Sequence, residues 1–130
     1  MSEANVETAK RAMDSYNTRD LDYELLSPDF EWTTAMAGVD NEVMRGREGV
    51  DNYYESLDAV WEHVRVFGGE WRDLGDRVLW LGQMEGRGRG SGATVVSPAA
   101  SLYEFRDGRI ARLRSFLDHG EALRAACLDE

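Results

Sequence analysis

The chain has little cysteine and little positive charge, and it contains no long apolar run. Its single cysteine, Cys127, cannot form an internal disulfide, which favours a reducing compartment such as the cytoplasm. Lys and Arg total 15 against 25 Asp and Glu, which gives a net charge of -10. Nucleic acid and membrane surfaces are therefore unfavourable partners, because phosphate recognition requires clustered Lys and Arg. No signal-peptide pattern is present, so we expect neither secretion nor membrane insertion.

Aromatic and aliphatic residues are plentiful. The 130 residues are 42% hydrophobic and include four Trp, five Tyr and four Phe. A chain of this length fits one domain, which we place over residues 1–130. Such a domain buries roughly two-thirds of its unfolded surface, which is enough for a core without disulfides or metals.

The last third of the sequence predicts a hairpin followed by a capped helix. Asp107 and Gly108 form a two-residue turn signal, because Gly accepts the positive φ that a type I′ turn requires. Asp118 can cap a helix over Glu121–Leu128, and Glu121 is spaced to complete a capping box.

Helices precede most of the strands, which indicates an α+β fold rather than an α/β fold. Apolar spacing and turn signals predict helices over Asn5–Asn17, Asp20–Leu26 and Glu48–Glu62, a strand over Phe30–Thr34, a loop over Ala37–Arg45, and strands over Val64–Asp73, Arg77–Arg87, Ala93–Arg106 and Arg109–Leu117. We expect the long sheet to curl around the helices.

Several short sequence segments are similar to segments of one known family and occur in the same order. They are Asp20-Leu-Asp, Leu26–Trp32, Arg45–Val50, Gly86–Gly92, Tyr103–Ile110 and Phe116–Leu123. The chain resembles the SnoaL-like branch of the nuclear transport factor 2-like superfamily. The resemblance implies a curved mixed or antiparallel sheet wrapped around N-terminal helices to form a cone, with a short C-terminal helix. Members include polyketide cyclases, isomerases, dehydratases, epoxide hydrolases and non-catalytic modules, so the fold does not decide the function.

The catalytic patterns of better-known members are largely missing. Ser115 stands where epoxide hydrolases of this fold carry an aspartate, and Gly82 and Met84 occupy the paired charged positions. Ala12 and Trp32 stand where ketosteroid isomerases carry a tyrosine and a basic aspartate. The resemblance therefore implies the scaffold more strongly than any one reaction.

Two residues are our candidates for acid–base chemistry. Asp118 is the carboxylate nearest to the position that polyketide cyclases use, and Tyr16 lies one turn from the isomerase tyrosine position. Capping competes with catalysis at Asp118, because backbone N–H bonds lower the pKa of a carboxylate. We interpret His119 as solvent-facing, and His63 as ending a helix where it meets the C-terminal dipole. Two such distant histidines predict no metal site, and we expect no cofactor.

The matched positions imply that Trp80, Gly82 and Met84 face inward. The expected apolar pocket is then lined by Phe30, Trp32, Tyr54, Leu57, Trp61, Trp80 and Met84. The alternative is a closed core made of the same residues. Leu79 and Leu81 would face outward without a covering helix, which predicts a homodimer.

These observations leave two hypotheses for the function. The first is a SnoaL-like protein that binds a hydrophobic small molecule and acts as a cyclase, isomerase or dehydratase on an unknown substrate. The second is a non-catalytic ligand-binding or dimeric assembly domain of the same fold.

Overall fold

A computed structural model describes residues 3–34 and 43–127. The helices are α1 (Glu3–Asn17), α2 (Gly46–Val60) and α3 (His119–Ala125), and the strands are β1 (Leu26–Thr33), β2 (Val43–Arg45), β3 (Trp61–Asp73), β4 (Arg77–Gly88), β5 (Thr94–Arg106) and β6 (Arg109–Phe116). The strands form one six-stranded sheet in the order β2-β1-β6-β5-β4-β3. All neighbours are antiparallel except β1 and β6, so the predicted mixed α+β sheet is confirmed.

Helices α1 and α2 lie on one face of the sheet, which we call the inner face. Ala9, Ala12 and Met13 form the buried stripe of α1, and Val50 and Leu57 belong to the buried stripe of α2. Both stripes recur at helical spacing and pack into the same hydrophobic cluster as the inner-face strand residues. The main core therefore lies between these helices and the sheet.

Strand β4 alternates as its sequence predicts. Val78, Trp80 and Met84 belong to the inner cluster, whereas Leu79 and Leu81 belong to a second cluster on the outer face. We expected the outer face to lack a covering helix, and this prediction is wrong. Buried residues of the C-terminal segment, Ala122 and Ala126, complete the second cluster, and Leu79 and Leu81 are buried within the monomer. The homodimer prediction was made from an exposed apolar outer face, and this face is covered by the C-terminal segment.

Helix α3 is attached at its first turn. Asp118 accepts a hydrogen bond of 3.1 Å from the backbone N–H of Gly120, which confirms the predicted cap. The interpretation of His119 as solvent-facing is wrong, because its Nε2 lies 2.9 Å from the Gly82 carbonyl oxygen and 3.1 Å from that of Ala99. Both neighbours are acceptors, so this nitrogen carries the proton and holds α3 against β4 and β5.

Several boundaries differ from the predictions, and β1 begins at Leu26 rather than at Phe30. Helix α2 ends at Val60, so Trp61 and His63 begin β3, and the interpretation of His63 as a helix-ending residue is wrong. Pairing with β4 competes with the helix here, since Trp61 and His63 are in register with Gly88 and Arg87. The predicted second helix is reduced to a single 3-10 turn, Tyr23–Leu25.

The expected loop over Ala37–Arg45 lies partly outside the described residues. Its last three residues form β2 rather than a loop. They are paired with β1, with Met44 opposite Trp32, so tertiary pairing decides their conformation. The expected end of α3 at Leu128 also lies outside the described residues, and the helix itself ends at Ala125.

No helix in the described part of the chain is long and apolar enough to span a membrane.

Candidate functional site

A cavity lies between α1, α2 and the inner face of the sheet. Its lining comprises Ala12, Met13, Tyr16, Leu21, Leu26, Phe30, Trp32, Tyr53, Val64, Val66, Trp80, Met84, Ala99, Ala100, Ser101, Tyr103, Ile110, Leu113, Ser115, Phe116 and Leu117. This cavity, which we call the main cavity, has a volume of about 70 Å³. Leu117 is 40% exposed, which places this side of the cavity at the protein surface.

Three aromatic side chains form one wall of the main cavity. The hydroxyl oxygens of Tyr16 and Tyr53 are 2.9 Å apart, and the ring centroids of Trp32 and Tyr53 are 4.2 Å apart. Trp32 donates from Nε1 to the hydroxyl oxygen of Ser115 at 3.0 Å. Each polar tip therefore has a partner while the rings present apolar surface, which fixes the wall without an unpaired buried donor.

Trp80 forms another part of the lining, and glycines position its ring. Its Nε1 donates to the Gly68 carbonyl oxygen at 2.8 Å. Gly68 and Gly69 lie at a bulge in β3 and have φ of 70° and 82°. A Cβ at Gly82 would overlap the Trp80 ring. The inward position at Gly82 is therefore filled by the neighbouring indole, which leaves no space there for a charged side chain.

The titratable groups in the described lining are all tyrosines. Burial raises the pKa of Tyr16, Tyr53 and Tyr103 above its usual value, so all three hydroxyls are protonated at neutral pH. No Asp, Glu, His, Lys or Arg is among the lining residues that the structure describes. The cavity offers hydroxyl donors to a ligand and, within this part of the chain, no carboxylate or imidazole base.

The structure brings some of the predicted pocket residues together and separates others. Phe30, Trp32, Trp80 and Met84 line the main cavity, as does Tyr16. The remaining three predicted pocket residues, Tyr54, Leu57 and Trp61, are outside its lining.

Each of these three residues has another position. Tyr54 donates its hydroxyl to the Tyr16 carbonyl oxygen at 3.3 Å, and Leu57 is buried in the α2 stripe. The ring of Trp61 lies over Gly86. Tyr54 and Leu57 therefore pack within the helical layer and Trp61 packs on β4, and none of the three lines the cavity.

Asp118 is separated from the main cavity. It is exposed, and its carboxylate caps α3 on the outer face of the sheet. The two candidate acid–base residues, Tyr16 and Asp118, therefore do not share a site.

Sequence reasoning missed Tyr53 and Tyr103 as lining residues. Tyr53 precedes Leu57 by one helical turn, so its place on the buried stripe was readable from the sequence. Tyr103 lies opposite Val78 in the β4–β5 register, a pairing that only the folded sheet reveals.

No cluster of three or more metal-ligating side chains occurs within residues 3–34 and 43–127.

Comparison with known proteins identifies the scaffold. The family described as SnoaL-like domain matches residues 8–113. No curated protein matches the chain. A nuclear transport factor 2-like protein of unknown function from Burkholderia pseudomallei is 22% identical, with a TM-score of 0.80 and coverage of 95% of this chain and 97% of that one.

Two further similar structures contain small molecules. TerC, co-crystallised with polyporic acid, is 22% identical, with a TM-score of 0.79 and coverage of 92% of this chain and 95% of that one. A protein from Catenulispora acidiphila with a ketosteroid isomerase-like fold, in complex with trimethylamine, is 21% identical. Its TM-score is 0.73, and coverage is 94% of this chain and 93% of that one. At these identities the likeness shows the fold.

Proposed function

The chain belongs to the SnoaL-like domain family, and from that premise we propose that it binds a small apolar molecule in the main cavity. The observation that carries the proposal is the lining itself. It is aromatic and aliphatic over most of its surface, with a few hydroxyls that already have partners. Such a lining gains about 25 cal/mol for each Å² of apolar ligand surface that it removes from water.

The chemistry of the lining favours binding over acid–base catalysis. A general base must lie within hydrogen-bond reach of the proton that it abstracts. The only titratable groups in the described lining are protonated tyrosines, and Asp118 is on the other face of the sheet. Small molecules in TerC and in the Catenulispora protein support a small-molecule role for this scaffold.

The binding proposal is tested with N-phenyl-1-naphthylamine, a neutral dye that fluoresces in apolar surroundings. We expect saturable binding by the native protein. Ala99 lines the cavity, so Ala99→Leu should fill part of it and weaken binding by about tenfold, or about 1.4 kcal/mol. Fluorescence titration measures both affinities.

A matched control is Ala93→Leu, which adds the same side chain at an exposed position before β5. It should bind the dye as the native protein does, and circular dichroism should show both variants folded. Absence of saturable binding by the native protein, or equal affinity in the Ala99→Leu variant, would contradict the proposal.

Tyr16 supports a second candidate function, an acid–base enzyme of the cyclase, isomerase or dehydratase type. Its hydroxyl lines the cavity, is bonded to Tyr53, and stays protonated because burial raises its pKa. It can therefore donate to a carbonyl oxygen on a bound substrate.

The second candidate is tested after a thermal-shift screen of polyketide, steroid and terpenoid compounds, in which a native-state ligand raises the unfolding temperature. Should any compound that binds be turned over, we expect Tyr16→Phe to lower kcat by about 10²-fold. Asp118→Asn is the comparison, since Asp118 is outside the cavity lining. Loss of turnover in the Asp118→Asn variant alone would exclude Tyr16 and assign the chemistry to that carboxylate.

A further inference from the structure

A second cleft adjoins the main cavity and differs from it in charge. Its lining includes Tyr23, Leu26, Ser27, Phe30, Arg47 and Arg109, and we call it the arginine cleft. Its volume is about 240 Å³. Leu26 and Phe30 line both this cleft and the main cavity.

The two arginines of this cleft lack a carboxylate partner among the described residues. No carboxylate in the described residues lies within 4.0 Å of either guanidinium group, whereas many other arginines have such a partner. Arg47 and Arg109 are both exposed. The Arg47 guanidinium carbon is 4.4 Å from the centre of the Tyr23 ring, a cation–π contact that orients the group without neutralising it.

Two carboxylates border the cleft without lining it. Asp51 accepts the hydroxyl of the lining residue Tyr23 at 3.1 Å, and Asp29 accepts that of the lining residue Ser27 at 2.8 Å and also pairs with Arg106. No Asp or Glu lines the arginine cleft among the described residues. The cleft therefore presents two positive charges on a protein whose net charge is -10.

We propose that the ligand of the main cavity is an apolar molecule with an anionic group, and that Arg47 and Arg109 bind this group. The inference rests on the proposed function and adds the chemical class of the ligand. The apolar body would occupy the main cavity, and a short tether would pass Leu26 and Phe30 into the arginine cleft. Phe30 and Leu26 are buried between the two cavities, so this binding mode requires the Phe30 ring to move aside when the tether is bound.

A guanidinium group suits this role because its N–H donors match the two oxygens of a carboxylate or sulfonate. The protein as a whole repels anions, since its net charge is -10. A preference for an anionic ligand over its neutral analogue must therefore come from local positive charge or from the hydroxyl donors of the main cavity. Loss of the preference when the two arginines are replaced distinguishes the arginine cleft from the hydroxyls.

The test uses 6-phenylhexanoate and 6-phenylhexanol, which share the ring and tether and differ in the charged end. Each is titrated at low ionic strength as a competitor of N-phenyl-1-naphthylamine bound to the native protein. We expect the carboxylate to bind about tenfold more tightly than the alcohol. In the Arg47→Gln/Arg109→Gln variant this preference should disappear, while affinity for the neutral dye and for the alcohol stays as in the native protein.

The control is Arg87→Gln/Arg124→Gln, which removes the same charge from two exposed arginines outside both cavities. It should keep the preference for the carboxylate. If the native protein binds the dye but binds acid and alcohol equally, the anionic ligand class is wrong and the proposed function stands. The same conclusion follows if the cleft variant keeps the preference. If the native protein does not bind the dye at all, the proposed function and the inference both fail.

Discussion

Stability is expected to fall steeply as the pH rises above about 10, where unfolded tyrosines lose their protons. Burial raises the native-state pKa of Tyr16, Tyr53 and Tyr103. The stabilisation is therefore complete below the unfolded pKa and is lost as the pH rises toward the folded values, because the unfolded chain releases protons that the native state keeps. Each such tyrosine contributes a slope of about 1.4 kcal/mol per pH unit.

These three tyrosines together give up to about 4 kcal/mol per pH unit, and a domain of ordinary stability would unfold within two to three units. Tyr54, whose pKa burial also raises, adds to this slope. Urea unfolding at pH 9, 10 and 11 measures this slope. The chain has one lysine, Lys10, so few other groups titrate in the same range.

Tyr103→Phe should lower the slope by about one proton, or about 1.4 kcal/mol per pH unit, since it removes one fully buried hydroxyl. The comparison is Tyr23→Phe, because Tyr23 is far less buried and its hydroxyl meets Asp51 near the surface. This variant should leave most of the slope unchanged. A stability that does not vary between pH 9 and 11, or an unchanged slope in the Tyr103→Phe variant, would contradict the conclusion that these tyrosines are buried and protonated in the native state.

A methyl group at Gly69 should be the most damaging small substitution in the sheet. The Cβ of Gly69→Ala would overlap the Leu81 carbonyl oxygen and would approach the Gly82 Cα at 2.5 Å. Both are backbone atoms of the neighbouring strand, so relief requires β3 and β4 to separate. The residue would also have to hold a φ of 82°, which L residues rarely adopt. We expect a loss of about 4 kcal/mol or more in the free energy of unfolding.

Gly68→Ala is the matched control. Gly68 has a similar positive φ of 70°, but a Cβ there would meet nothing within 4 Å. Gly68→Ala should therefore lower the free energy of unfolding only by the cost of holding an L residue at positive φ, about 1–2 kcal/mol. Urea unfolding separates the two variants, and equal losses would show that the close approach to Leu81 does not control stability.

The bulge at these glycines also affects the cavity. It presents the Gly68 carbonyl oxygen to the Trp80 indole at 2.8 Å, so displacement of β3 would release the ring from its position in the lining. A Gly69→Ala protein that stays folded at low temperature should therefore bind N-phenyl-1-naphthylamine more weakly than the Gly68→Ala protein.

Local features of the sequence determined much of the fold. The Asp107-Gly108 turn has positive φ at both residues, as a type I′ turn requires, because the preference resides in the two residues themselves. Alternation along β4 placed Val78 and Trp80 on one face and Leu79 and Leu81 on the other. The Asp118 cap likewise depends on a neighbour two positions away.

Part of the candidate site was also predictable, because Phe30, Trp32, Trp80 and Met84 follow from strand alternation and from the family resemblance. Tyr54, Leu57 and Trp61 share a stripe at helical spacing in the sequence. Spacing shows which residues share a stripe, but it does not show which part of the stripe faces a cavity and which part faces a strand.

Long-range pairing decided the rest. The parallel pair of β1 and β6 brings Trp32 opposite Leu113, and the Trp32 indole meets Ser115, 83 positions away in the sequence. The same pairing brings Arg109 to a cleft that it shares with Arg47. Nothing in the sequence next to Arg47 or next to Arg109 predicts that the two residues share a cleft. Hydrophobic periodicity and turn chemistry act over a few residues, so they specify elements and faces, whereas sheet register and helix docking alone specify which side chains meet in the cavity and the cleft.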